Sequence, residues 1–136
     1  MSLKPLHAAE TTLLSTGLDS LAGTSSATSS EQDNSSTRYL DGWVNVELAS
    51  ASADTGYCSV YLLEGGATGK LSTSAQLSNM RKLDDVQMNG ATAVRKNIFV
   101  KNLPKYWAVH LIKNATPALA ASGNTIKFIG VNYENV

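Results

Sequence analysis

Hydrophobic and polar side chains alternate along much of this chain, in the short period-two runs that mark strands. In "WVNVELAS" (43–50), Val44, Val46 and Leu48 fall on one side, with Asn45, Glu47 and Ala49 on the other. "YCSVYLLE" (57–64) sets Cys58, Val60 and Leu62 against Tyr57, Ser59, Tyr61 and Leu63. Asp54 and Gly56 lie between these runs, and as turn formers they predict a hairpin with a long loop. "KNIFVKNL" (96–103) alternates Ile98 and Val100 against Phe99 and Lys101, then stops at Pro104, which has no N–H for a ladder. "YWAVHLIKN" (106–114) sets Trp107, Val109 and Leu111 against Ala108, His110 and Ile112. "TIKFIGVNY" (125–133) sets Ile126 and Phe128 against Lys127, with Ile129, Val131 and Tyr133 on the far face. Residues 64–96 are rich in Gly, Ser and Asn and predict only short strands, at Gly69–Ser72 and Asp85–Met88. Several strands with turn signals and no long helix define an all-β chain, an antiparallel β-sandwich or jelly-roll-like barrel.

The first 38 residues have a different character. They contain no aromatic residue, and ten of the eighteen residues from Ser20 to Thr37 are Ser or Thr. Such a segment cannot bury enough apolar surface to fold by itself. Its leucines, Leu3, Leu6, Leu13, Leu14, Leu18 and Leu21, are the residues it can offer to a partner, and "ETTLLST" reads as a short strand. The expected organisation is an extended N-terminal arm over 1–38 and a β-sandwich domain over 39–136. An arm of small polar residues is ordered most economically by adding a strand to the sheet edge of a neighbouring subunit.

Composition removes several functions. Across 136 residues, 11 Lys+Arg balance 11 Asp+Glu, and no basic cluster exceeds the pairs Arg81-Lys82 and Arg95-Lys96. Nucleic acid is therefore not an expected partner. No apolar run approaches the ~18 residues of a membrane span, and the N-terminus lacks a signal-peptide core, so a cytoplasmic site of synthesis and no membrane partner are expected. The single cysteine, Cys58, excludes an intrachain disulfide and reads as a small buried hydrophobe.

Candidate chemistry is sparse. "EGGATGKLS" misses the phosphate-loop pattern, having Glu64 and Leu71 where Gly and Ser/Thr belong. His7 and His110 have no metal-ligand spacing, and no nucleophile-elbow sequence surrounds any serine. Asp84 and Asp85 are sequence neighbours, unlike carboxylates that flank a bond across a cleft. No catalytic, cofactor or metal residue is assigned, and the chain is expected to be no enzyme. Trp43, Tyr57, Tyr61, Tyr106 and Trp107 could instead stack on sugars or pack against sister subunits. Trp43, Trp107 and His110 are the residues assigned to such an oligomer or glycan surface.

"RYLDGWVNVELAS", "SVYLLEGG" and "IFVKNLPKYWAVHLIKNATPALAASGNTIKF" together resemble small β-sandwich virion proteins of tailed bacteriophages. The resemblance lies in Asp41-Gly42-Trp43, Tyr61-Leu62-Leu63, the Leu103-Pro104 corner and the Ala118–Thr125 turn, and spans about residues 38–133. Thr116-Pro117 departs from the Thr-Gly of that group. The resemblance implies a capsid decoration (cement) subunit on the virion surface, without catalytic residues. Its expected partners are the major capsid protein and sister copies, a homotrimer first among the assemblies, with the arm clamping neighbouring subunits. The alternative is a carbohydrate- or receptor-binding module of a phage head or tail fibre.

Overall fold

The computed structural model describes residues 2–135 as two facing antiparallel sheets. The strands are β1 (Leu3–His7), β2 (Thr11–Leu14), β3 (Ser26–Thr28), β4 (Gln32–Asp33) and β5 (Asp41–Leu48), followed by β6 (Tyr57–Gly65), β7 (Arg81–Gln87), β8 (Val94–Val100), β9 (Tyr106–Lys113) and β10 (Thr125–Asn135). Sheet A has the order β1-β10-β5-β8, with β2 beside β1 on the same flank of β10. Sheet B has the order β3-β9-β6-β7, with β4 following β3 along β9. The all-β sandwich expected from the alternation is the fold observed. No helix among the described residues is long and apolar enough to cross a membrane.

Side chains that each alternating run sets on one side are buried together, although Val131, on the far face of its run from Ile126 and Phe128, is buried as well. Val44, Val46 and Leu48 of β5 meet Cys58, Val60 and Leu62 of β6 between the sheets, joined by Ile98, Val109, Leu111 and Ile126. The opposite face of β6 is buried too, because the chain after Gly65 folds back over it. Tyr61, Leu63, Met80 and Ala108 form a second, smaller cluster there. Gly42 and Gly130 are direct cross-strand partners. A Cβ at Gly42 would collide with the Phe128 ring, and one at Gly130 with the Tyr39 ring. The two glycines thus clear room on the inner face for a stack in which Phe128 lies 6.1 Å from Tyr39 and 4.6 Å from Trp107.

Three expectations are corrected. β5 and β6 do not form a hairpin, since they belong to different sheets. Residues 49–56 cross between the sheets, held by Ala51 N–H to Ala118 O (2.9 Å) and by the Ser50–Leu119 bridge. Gly69–Ser72 is likewise not a strand, and the second short strand begins earlier than expected, at Arg81.

The larger correction concerns residues 1–38. The described part of this segment does not extend away from the sandwich but edges both of its sheets. β1 and β2 pair with β10, and β3 and β4 pair with β9. Between them the chain turns over one end of the sandwich, where Leu18 is 0% exposed inside the core. Hydroxyls and amides substitute for missing ladder partners. Ser29 Oγ accepts the Val109 N–H at 2.9 Å, while the buried Asn34 donates to Tyr39 O and Pro104 O and accepts from Tyr39 N–H at 2.8 Å. Polar composition was the reason to expect an independent arm, yet main-chain pairing asks nothing of side-chain hydrophobicity.

One buried charge pair pins the crossing loop to β9. Lys113 Nζ donates to Asp54 Oδ2 at 2.6 Å, with the side chains 0% and 2% exposed. Ala115 O accepts a second Lys113 hydrogen bond at 3.3 Å, and Gly56 N–H donates to Asp54 Oδ1 at 2.7 Å. Burial alone would raise the Asp54 pKa. The Lys113 and Gly56 hydrogen bonds and the Lys113 charge outweigh it and hold the carboxyl below its ordinary value.

Two predictions follow from this packing. Leu18→Ala is expected to cost about 2–5 kcal/mol by urea denaturation, and Leu3→Ala less than about 0.5 kcal/mol, because only Leu18 leaves a cavity. Because the folded Asp54 pKa is depressed, its stabilisation is fully present above the unfolded value of ~3.9 and lost as pH falls through the folded one. Asp54→Asn should therefore be less stable than wild type at neutral pH, with the gap closing on acidification in a pH series of denaturation midpoints.

Candidate functional site

The outward face of sheet A gathers the side chains that the core does not use. Odd-numbered positions of β5 point away from the core residues Val44, Val46 and Leu48, and the register places a β8 and a β10 residue beside each. Trp43 lies between Phe99 and Ile129, Asn45 between Asn97 and Lys127, and Glu47 between Arg95 and Thr125. The face therefore reads as an apolar row with two aromatic rings, a row of two amides and a lysine, and a row of an ion pair and a threonine.

The Trp43 and Phe99 ring centroids are 5.0 Å apart with planes inclined by 59°. Cross-strand aromatic pairs of this kind stabilise a sheet, but here Phe99 remains 37% exposed and Trp43 half-buried. Beside them lies an open depression of about 210 Å³, lined by Glu10, Asn45, Glu47, Arg95, Asn97 and Lys127 among others. Arg95 Nε contacts Glu47 Oε2 at 3.0 Å, and Lys127 Nζ lies 3.7 Å from Glu10 Oε1. Asn45 Nδ2 donates to the other Glu10 oxygen at 3.3 Å. The loop between β1 and β2, part of the segment first read as an arm, thus supplies a wall of the depression. Such a surface can stack an apolar ring face and exchange hydrogen bonds with hydroxyls. No group of three or more His, Cys, Asp or Glu side chains able to hold a metal ion occurs among the described residues.

The residues assigned from sequence are scattered by the structure. Of the three assigned to an oligomer or glycan surface, only Trp43 lies at this face. Trp107 is 2% exposed, buried in the core against Phe128, and His110 is 4% exposed beneath Thr28, whose Oγ1 lies 2.6 Å from Nδ1. Burial pushes the His110 pKa down. Neither residue can meet a glycan or a sister chain, because Trp107 is enclosed between the sheets and His110 is buried on the other face of β9, beside Tyr61 and against Thr28. Of the six leucines assigned to partner contact, Leu18 is buried in the chain's own core and Leu13, Leu14 and Leu21 pack against it. Leu3 and Leu6 stay exposed, at 64% and 52%. Cys58 is fully buried, and burial pushes its thiol up to about 11.

Phe99, Asn97 and Glu10 belong to the face but were not assigned to it from sequence. The alternation placed Phe99 opposite Ile98 and so on an outward face. What was missing is the register that seats it against Trp43, 56 positions earlier in the chain.

No family model matches the chain, and no curated protein matches it in sequence. Solved structures resemble it in fold. The CBM36-1 domain of a multidomain xylanase from the hindgut metagenome of Trinervitermes trinervoides superposes with a TM-score of 0.50 at 9% identity, covering 99% of this chain and 100% of that one. The PBSX exported protein XepA gives 0.51 at 10% identity over 94% of this chain, which spans 38% of XepA. At such identities the likeness is one of architecture, a β-sandwich of the kind used by carbohydrate-binding domains.

Core and face positions separate by mutation. Trp107→Ala is expected to cost about 3–5 kcal/mol in equilibrium denaturation, as a large core truncation. Trp43→Ala should lose chiefly the ring pair, about 0.5–1.5 kcal/mol, and stay folded.

Proposed function

We propose that this chain is a non-enzymatic accessory protein of a tailed-phage virion, a binding module that reads carbohydrate with the outer face of sheet A. The observation that carries the binding role is the Trp43–Phe99 pair, left accessible beside a depression whose lining is polar. Aromatic rings with an apolar face and neighbouring amides and carboxylates complement a sugar, which offers C–H groups on one side and hydroxyls around its edge. The virion assignment is supported by the resemblance carried by Asp41-Gly42-Trp43, Leu103-Pro104 and Ala118–Thr125, and places the protein on the particle surface after synthesis in the host cytoplasm. The sandwich shared with the CBM36-1 domain suits this role as a scaffold; the aromatic face supplies the reason for it.

A second reading, the capsid decoration subunit, is favoured by Leu3 and Leu6, which remain exposed on the edge strand β1. They offer an apolar contact to the major capsid protein or to sister copies, a trimer among them. The clamp in that reading would work through this edge strand rather than through a free arm, since β1 to β4 already edge the chain's own sheets.

The carbohydrate reading is tested on bacterial envelopes with the labelled protein. Periodate oxidation of envelope sugars is expected to abolish retention, and Trp43→Ala to lower it about tenfold. Retention that survives periodate would overturn it. For decoration, Leu3→Asp/Leu6→Asp should lower occupancy on purified phage heads while Trp43→Ala leaves it unchanged.

A further inference from the structure

We infer that the ligand class of the sheet A face is an uncharged pyranose unit, an inference that rests on the carbohydrate-binding reading above. Charge pairing inside the depression is the reason. Its two cations are each matched to a carboxylate, Arg95 to Glu47 at 3.0 Å and Lys127 to Glu10 at 3.7 Å. Two positive and two negative side chains leave the lining with no net charge. A uronate, sialate or sulfated sugar that approaches either cation would sit beside the carboxylate that already neutralises it. Like charges brought together at a partly desolvated surface repel, so the lining selects against an acidic ligand.

The groups left for recognition suit hydroxyls. Asn97 is exposed, and its carboxamide has no hydrogen bond to other described residues, so it offers both donor and acceptor. Glu47 and Glu10 retain acceptor capacity beyond their ion pairs, and a sugar hydroxyl can donate to it without disturbing them. The aromatic pair limits the number of stacked rings. With the planes inclined by 59°, a sugar that lies flat on one ring meets the other edge-on. One pyranose is stacked on the pair, with its hydroxyl edge toward Asn97 and Asn45, and the rest of the glycan runs out over the open side of the depression.

A printed glycan panel tests this, with neutral hexose, pentose and N-acetylhexosamine oligosaccharides set against sialylated, uronate and sulfated ones. Wild type is expected to bind neutral probes only. Asn97→Ala should weaken that binding about 2- to 10-fold, the range of one hydrogen bond, and Trp43→Ala should weaken it at least as much. Glu47→Gln, which leaves Arg95 without its carboxylate, should raise signal on acidic probes. Binding confined to acidic probes overturns the uncharged assignment while keeping the carbohydrate reading. Neutral binding unchanged in both Asn97→Ala and Trp43→Ala overturns the placement on this face. No binding to any probe overturns the carbohydrate reading and this inference with it. Circular dichroism melts of the variants, all altered at partly or fully exposed positions, show that each remains folded.

Discussion

Backbone pairing along the outer flanks of β10 and β9 is the constraint on which the rest of this sandwich depends. Both strands carry core residues on their inner faces, Ile126 and Phe128 on one and Trp107, Val109 and Leu111 on the other. Left at the edge of its sheet, each would expose a row of unpaired N–H and C=O groups beside those residues. One segment of some thirty residues closes both flanks, running β1 and β2 along β10 and then β3 and β4 along β9. Its few core contacts sit where it passes from one sheet to the other, with Leu18 inserted and Leu14 and Leu21 packed around the core. Most of what else it contributes is main-chain hydrogen bonding, supplemented by side chains such as the hydroxyl of Ser29 and the carboxamide of Asn34. Small polar residues suffice for that task.

The same arrangement decides which surfaces are left for a partner. β3 and β4 cover the flank of β9 at Trp107 and His110, and the excursion after Gly65 covers the outer face of β6. On sheet A the additions lie to one side, and the rows centred on β5 stay open. The loop between β1 and β2 then brings Glu10 to Asn45 and Lys127, so a residue from the flanking segment completes a depression built otherwise by central strands. Surface ion pairs such as these contribute little stability, on the order of 0–1 kcal/mol each. Their effect here is on the charge of the surface, since pairing leaves the lining with no net charge.

The turn elements behind the phage-protein resemblance acquire physical reasons. Gly42 sits where the Phe128 ring crosses the sheet, which explains a glycine between Asp41 and Trp43. The Leu103-Pro104 corner is tied to the start of β5 by Leu103 N–H to Leu40 O at 2.8 Å, with Pro104 O accepting from Asn34. In the Ala118–Thr125 turn, Gly123 takes a positive φ of 84° and the buried Asn124 accepts the Ala49 N–H at 2.9 Å. These are solutions to closing a sandwich, and they speak to architecture before they speak to function.

Local pattern was enough for the strands that form the core. Alternation alone set Val44, Val46 and Leu48, or Cys58, Val60 and Leu62, on one face of a strand, because side-chain direction in a strand has period two whatever the strand pairs with. It could not say which strands share a sheet, so β5 and β6 read as a hairpin. Nor could it separate Trp43, which lies on the open face, from Trp107, which is enclosed between the sheets; both are aromatic residues in alternating runs. The polar segment before Tyr39 carried no local signal that it pairs with strands a hundred residues downstream. By itself the sequence determined an all-β chain and which side chains share a face of its central strands, both set by neighbours along the chain. The closed flanks, the cross-strand register and the Trp43–Phe99 face came only with the tertiary structure, because main-chain pairing is indifferent to side-chain identity and long-range register is written in no single stretch.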